Sequence, residues 1–175
     1  AHARRQAGVE EMSTAKTIAA RTEPPLSVWL LSDDAPGHLS QSRGIVDALA
    51  TRREVKLTTI DIKLRSKVWK RLGRLCLPRI RDTAGWLART YTLSLPAGRP
   101  ALIVSSGANT LLANALLARQ HAVPNVYSGT LKGYDPAAFD CVFTVVALGV
   151  ACNHVLPLPP VPGELAHPLP AAGGE

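Results

Sequence analysis

The amino-acid sequence predicts an α/β fold, a parallel sheet with helices on both faces, and three observations carry that prediction. Apolar runs alternate with segments of helical period along residues 27–156, and alternation at this spacing builds a parallel sheet joined by short loops. One strand, its loop and the next helix are legible in a single segment: Val28, Trp29, Leu30 and Leu31 run into Ser32-Asp33-Asp34-Ala35-Pro36-Gly37-His38, then into Gly44, Ile45, Val46, Ala48 and Leu49. With 175 residues, 46% of them hydrophobic, the chain can bury one core and is short for two domains.

In chain order, the apolar run 28–32 is the first strand, and a helix over 39–51 follows the Pro36-Gly37 turn. A β-branched run marks a strand over 55–61. Helical period predicts 66–76 and a second helix near 82–91. Strand 101–105, helix 109–120, strand 124–128 and strand 140–146 complete the α/β unit. Residues 1–26 lack steady periodicity and read as a flexible leader, with Met12 as an alternative start. Residues 157–175 are Pro-rich and read as a tail or interdomain linker.

No window approaches the roughly 18 apolar residues of a membrane span, and no secretory signal pattern is present, so a cytoplasmic protein is expected. Cys76, Cys141 and Cys152 lack metal-ligand spacing and read as buried free thiols. The net charge of +7 is concentrated in residues 24–99, which hold 14 Lys/Arg against 6 Asp/Glu. That placement points to an anionic partner or surface. Nucleic acid is not the expected partner, because only 5% of residues are aromatic and no finger, glycine-rich aromatic or helix-turn-helix signature accompanies the charge.

Three segments could carry chemistry. In the first loop, His38 can act as base or hydrogen-bond donor near neutral pH and Gly37 allows close approach of a ligand, although Asp33 or Ser40 would serve equally as helix caps. After strand 101–105, Ser105-Ser106-Gly107-Ala108-Asn109-Thr110 leads into a helix whose free N–H groups could hold a phosphate, carboxylate or sugar hydroxyl; Ser106 or Asn109 as a plain N-cap is the alternative. In the third, Val68, Trp69, Leu72, Leu75 and Cys76 share one helical arc and Lys67, Lys70, Arg71 and Arg74 the opposite one. Such a helix docks its apolar arc on the sheet with a solvated basic face, or lies on an anionic membrane with Trp69 at headgroup depth.

Ser32-Asp33 with Pro36-Gly37-His38 and Gln41, then Gly44 and Ala48-Leu49, resembles the opening motif of the mitochondrial-fission "elongated mitochondria" (ELM) family and its bacterial relatives. Ser106-Gly107 with Thr110, and Phe139-Asp140 before an apolar strand, follow in that family's order. The sequence departs from the family pattern at Asp34-Ala35, at Leu39-Ser40 and at 144–147. The resemblance implies a Rossmann-like domain, the acceptor-side half of a GT-B glycosyltransferase that moves a sugar from a nucleotide sugar to a glycan or lipid-linked acceptor. It implies His38 as general base, Asp33 as the group that orients it, and Gly37, Gln41, Ser106, Gly107, Asn109 and Thr110 as acceptor-binding residues. Lys67, Trp69, Lys70, Arg71 and Arg74 would meet the inner face of the cytoplasmic membrane. No metal or cofactor is implied, and the nucleotide sugar is expected to bind only with a second, donor-side domain, without which transfer is expected to fail. A non-catalytic peripheral membrane or scaffold module is the alternative, and a small-molecule-binding Rossmann-like domain a third.

Overall fold

The computed structural model describes residues 23–162, so the expected leader as far as residue 22 and the tail from 163 lie outside the described residues. Seven strands form one sheet: β1 (Leu26–Ser32), β2 (Val55–Leu64), β3 (Tyr91–Leu93), β4 (Leu102–Ser106), β5 (Asn125–Ser128), β6 (Cys141–Thr144) and β7 (Asn153–Val155). Their order is β3-β2-β1-β4-β5-β6-β7, and every neighbouring pair is parallel except β2 with β3. Four α-helices, α1 (Pro36–Ala50), α2 (Lys67–Cys76), α3 (Thr83–Thr90) and α4 (Leu111–His121), make this a Rossmann-like α/β fold.

Strand β1 lies inside the sheet, between β2 and β4, and its residues are apolar on both faces, as a sheet covered twice requires. Val28 and Leu30 pack with Ile45 and Val46 of α1, whereas Trp29 and Leu31 join the larger cluster with Leu112 and Leu116 of α4 and Leu87 of α3. Helix α4 is buried continuously from Leu111 to Ala118, which explains a sequence of Leu and Ala with hardly a charge. The chain leaves β1 through α1 toward β2 and later returns to β4 on the opposite side of β1. Strand order therefore reverses between β1 and β4, and in open α/β sheets ligands gather outside the carboxyl ends of the strands at that point.

The structure moves several boundaries. Helix α1 begins at Pro36, one turn before the expected residue 39, so Pro36-Gly37-His38 is the first helical turn and not a free loop. Proline suits that position because its fixed φ matches the helix and its missing N–H would have been unpaired anyway. Ala35 is the N-cap with no side-chain cap bond, so neither Asp33 nor Ser40 caps α1. The helix expected to reach 91 ends at Thr90, and Tyr91 opens an antiparallel edge strand. Strand β6 stops at Thr144, short of 146. A short strand not expected from sequence, β7, extends the sheet, and the Pro-rich segment beyond it folds back over α1: a Cβ on Gly44 would collide with the backbone of Val161. Of the expected Pro-rich tail, residues 157–162 are described, and Val161 among them packs on α1. The three cysteines are free, as expected, but only half-buried.

Candidate functional site

The carboxyl ends of β1 and β4 carry two of the predicted segments and place them side by side. Beyond β1, Asp34 adopts a left-handed backbone, φ 62°, which turns the chain sharply into α1 and leaves Asp33 and His38 five residues apart but in contact. His38 Nδ1 lies 2.9 Å from Asp33 Oδ1. The Asp33 side chain is 6% exposed and that of His38 is 42% exposed, so a buried carboxylate holds an accessible imidazole. With Nδ1–H donating to the carboxylate, Nε2 on the far side of the ring keeps its lone pair, the tautomer a general base requires.

Gly107 supports the other side of this pair. Its φ is +91°, and a Cβ there would collide with the His38 ring, so glycine is needed both for the backbone and for the imidazole to sit where it does. Ser106, Gln41 and Thr110 are brought to the same place in a different role from the one expected. Ser106 is 1% exposed, and its hydroxyl lies 2.8 Å from Gln41 Oε1 and 2.9 Å from the Ser128 carbonyl oxygen. Thr110 is fully buried and donates to the carbonyls of Ser106 and Gly107. Both hydroxyls are paired within the protein, where Ser106 and Thr110 shape the β4–α4 turn. Thr110 is also the N-cap residue of α4, in place of Ser106 or Asn109. Gly37 is exposed at the start of α1 with nothing crowding it, so a ligand can approach there.

Helix α2 departs from the expectation that its whole apolar arc docks on the sheet. It docks closely at Gly73, whose missing side chain admits Leu112 of α4, with Trp69 and Cys76 of the apolar arc packed beside that contact and the aliphatic members left out. Val68, Leu72 and Leu75 are exposed by 66%, 42% and 67%. Trp69 sits edge to face with Trp86 at 5.1 Å, and the Arg89 guanidinium lies 5.7 Å above the Trp69 ring, so its face is partnered by α3. The reason is that Gly73 interrupts the helix surface between its apolar and basic arcs, and close helix contact wins over burial of the aliphatic stripe.

As a result the basic arc turns toward the sheet edge. Lys67, Lys70, Arg71 and Arg74 line a cleft of about 280 Å3 with Asn109, Lys132 and Tyr134. Lys70 Nζ donates to Asn109 Oδ1 at 2.8 Å, and Arg74 donates to the Lys132 carbonyl at 3.1 Å. Asn109 is held in turn by the Tyr91 hydroxyl, which donates to its carbonyl at 2.8 Å. Burial pulls the Lys70 ammonium below its ordinary range, Arg74 and Lys67 add to the shift, and the Asp33 charge opposes it.

Sequence reasoning missed two features. Asn114 is fully buried: its Nδ2 donates to Ser105 Oγ at 2.8 Å and to the Val126 carbonyl at 3.0 Å, and its Oδ1 accepts from Asn125 Nδ2 at 2.7 Å. Asn125 is tied reciprocally to Asp140, its N–H donating to Oδ2 and its Oδ1 accepting from the Asp140 N–H, both at 2.9 Å. A lone Asn within a Leu/Ala helix was the available signal. The second is a group of tyrosines, Tyr91, Tyr127 and Tyr134, all buried behind this edge. Among the described residues no three His, Cys, Asp or Glu side chains gather to hold a metal ion, and no helix is long and apolar enough to cross a membrane. Comparison with known proteins gives no matching family model, no matching curated protein and no matching solved structure.

Proposed function

We propose that this chain is the acceptor-side domain of a GT-B-like glycosyltransferase, with His38 as the base that prepares an acceptor hydroxyl for attack on a nucleotide sugar. The observation that supports it most is the accessible imidazole held at 2.9 Å by a buried carboxylate at the strand-order reversal. In the proposed step, the acceptor O–H gives its proton to His38 Nε2 as its oxygen bonds to the anomeric carbon. The bond from that carbon to the nucleoside diphosphate breaks, and the diphosphate leaves with the electron pair. Asp33 stabilises the imidazolium, and the proton then passes to solvent. Gln41 steadies the floor of the site through Ser106. Binding of the nucleotide sugar is assigned to a second, donor-side domain.

Saturation-transfer NMR of this chain with glycolipid headgroups and nucleotide sugars, repeated on His38→Ala, tests this reading. Headgroup signals that vanish in the variant, without nucleotide-sugar signals in either protein, are expected. Headgroup signals indifferent to the substitution, or none at all, refute it.

A second reading, a peripheral membrane module, is favoured by one observation: Val68, Leu72 and Leu75 form an exposed apolar stripe beside Lys67 and Arg71. Co-sedimentation with anionic vesicles at low salt, lost in Val68→Ser/Leu75→Ser, is its expected signature. Equal recovery of the wild type and the double variant in the pellet removes it.

A further inference from the structure

We propose that the cleft between α2 and the loops after β4 and β5 binds a phosphate or diphosphate group, held by Lys70, Arg74 and Lys132 with the Tyr134 hydroxyl, next to the His38–Asp33 pair. The inference rests on the acceptor-side reading for the molecule that carries the anion, and on the cleft itself for the anion.

Five cationic side chains, those of Lys67, Lys70, Arg71, Arg74 and Lys132, converge on about 280 Å3. Among the described residues, the three ion pairs formed involve His38, Arg53 and Arg89, and none of those five cations. Like charges brought together oppose one another, most at Lys70, the one of the five that is half-buried, and an anion between them relieves that repulsion. The donors are available: Lys70 uses one N–H on Asn109 and Arg74 one on the Lys132 carbonyl, out of three and five.

Tyr134 supplies the independent observation. It lines the cleft and is 5% exposed, and its hydroxyl has no hydrogen-bond partner. Buried hydroxyls are seldom left unpaired, and this one, covered from solvent but close enough to Arg74 to feel its charge, gains an acceptor once an anion draws the two side chains together. The cleft is just under the range of about 300–1,000 Å3 common for drug-sized ligands, so it suits a phosphate headgroup better than a whole nucleotide sugar. Position completes the case. Asn109, which Lys70 contacts, is two residues from Gly107, on which the His38 ring rests, so a hydroxyl near His38 and a phosphate in the cleft could belong to one molecule.

The test titrates the 175-residue chain with inorganic pyrophosphate, by calorimetry and by amide NMR. Saturable binding that weakens with salt is expected, with shifts around Lys70, Asn109, Lys132 and Tyr134. Lys70→Gln and Arg74→Gln each weaken it about tenfold or more, the scale of a hydrogen bond to a charged group. Tyr134→Phe weakens it several-fold without lowering the melting temperature; a purely structural tyrosine would leave affinity unmoved. Absence of saturable binding, or binding indifferent to all three substitutions, overturns the proposal. Displacement by a short-chain prenyl diphosphate alone assigns the site to a lipid headgroup, and displacement by a nucleoside diphosphate alone assigns it to a free phosphate; either supports the site. Pyrophosphate binding through these residues with no headgroup response to His38→Ala keeps the anion site and removes the acceptor reading. A His38-dependent headgroup signal without pyrophosphate binding does the reverse.

Discussion

Replacing Gly107 by alanine drives a methyl group into the His38 ring, and the glycines of this protein allow that effect to be isolated. At φ +91° an L-residue is strained by about 1–2 kcal/mol. The methyl also displaces His38 from Asp33, and a half-exposed hydrogen bond of that kind contributes about 0.5–1.5 kcal/mol. Lower entropy of the unfolded alanine chain returns about 0.4–1 kcal/mol. Gly98 has a similar positive φ, +102°, but nothing near its Cβ position, so Gly98→Ala carries the strain and entropy terms without the collision. The expected difference between the two variants in urea unfolding at neutral pH is therefore about 1 kcal/mol, with Gly107→Ala the weaker. The His38 imidazole resonances should move in Gly107→Ala and stay in Gly98→Ala. Equal destabilisation with unmoved His38 signals would falsify the seating of the imidazole on Gly107.

Asn114→Ala removes bonds to Ser105, Val126 and Asn125 at once and leaves buried partners unpaired, so a loss of about 2–4 kcal/mol in urea unfolding is expected; a loss under about 1 kcal/mol would show that water replaces the side chain. All three tyrosines of the chain are buried, and burial raises the phenol of each above its ordinary value, that of Tyr134 to about 12. The unfolded chain therefore loses these protons first, and stability falls as pH rises above about 10, by up to about 1.4 kcal/mol per pH unit for each tyrosine. Lys70, lowered by burial, works in the opposite direction below its ordinary pKa, but it is one group against three. Phenolate absorbance should appear together with cooperative unfolding, and a tyrosine that ionises near pH 10 in the folded protein would contradict the burial. Leu75→Ser alone should leave unfolding within about 0.5 kcal/mol of wild type, because that side chain is exposed; a larger loss would mean that the stripe is covered.

The α/β class, the parallel order and the adjacency of the first and fourth loops were legible from residues 27–128, because hydrophobic period and turn residues are local signals. His38 and Asp33 were legible for the same reason: five residues separate them, and a strand-to-helix turn brings them together. The short strands β3 and β7 were not, since three residues carry no measurable period. Nor was the orientation of α2. A helical wheel separates apolar from basic residues, but it cannot tell that Gly73 will fit against Leu112 39 residues away, bringing Lys70 to Asn109 and leaving Val68 and Leu75 outward. The pairing of the Ser106 hydroxyl follows the same logic, since its partners Gln41 and Ser128 come from other elements, whereas Thr110 bonds within its own turn to Ser106 and Gly107. By itself, then, the sequence determined which elements form and which chemical groups stand at the sheet edge, because both depend on neighbours in the chain. Only the tertiary structure decided which of those groups are already paired, which face solvent, and which cations share a cleft with Tyr134, because burial and pairing are set by close packing between residues distant in sequence.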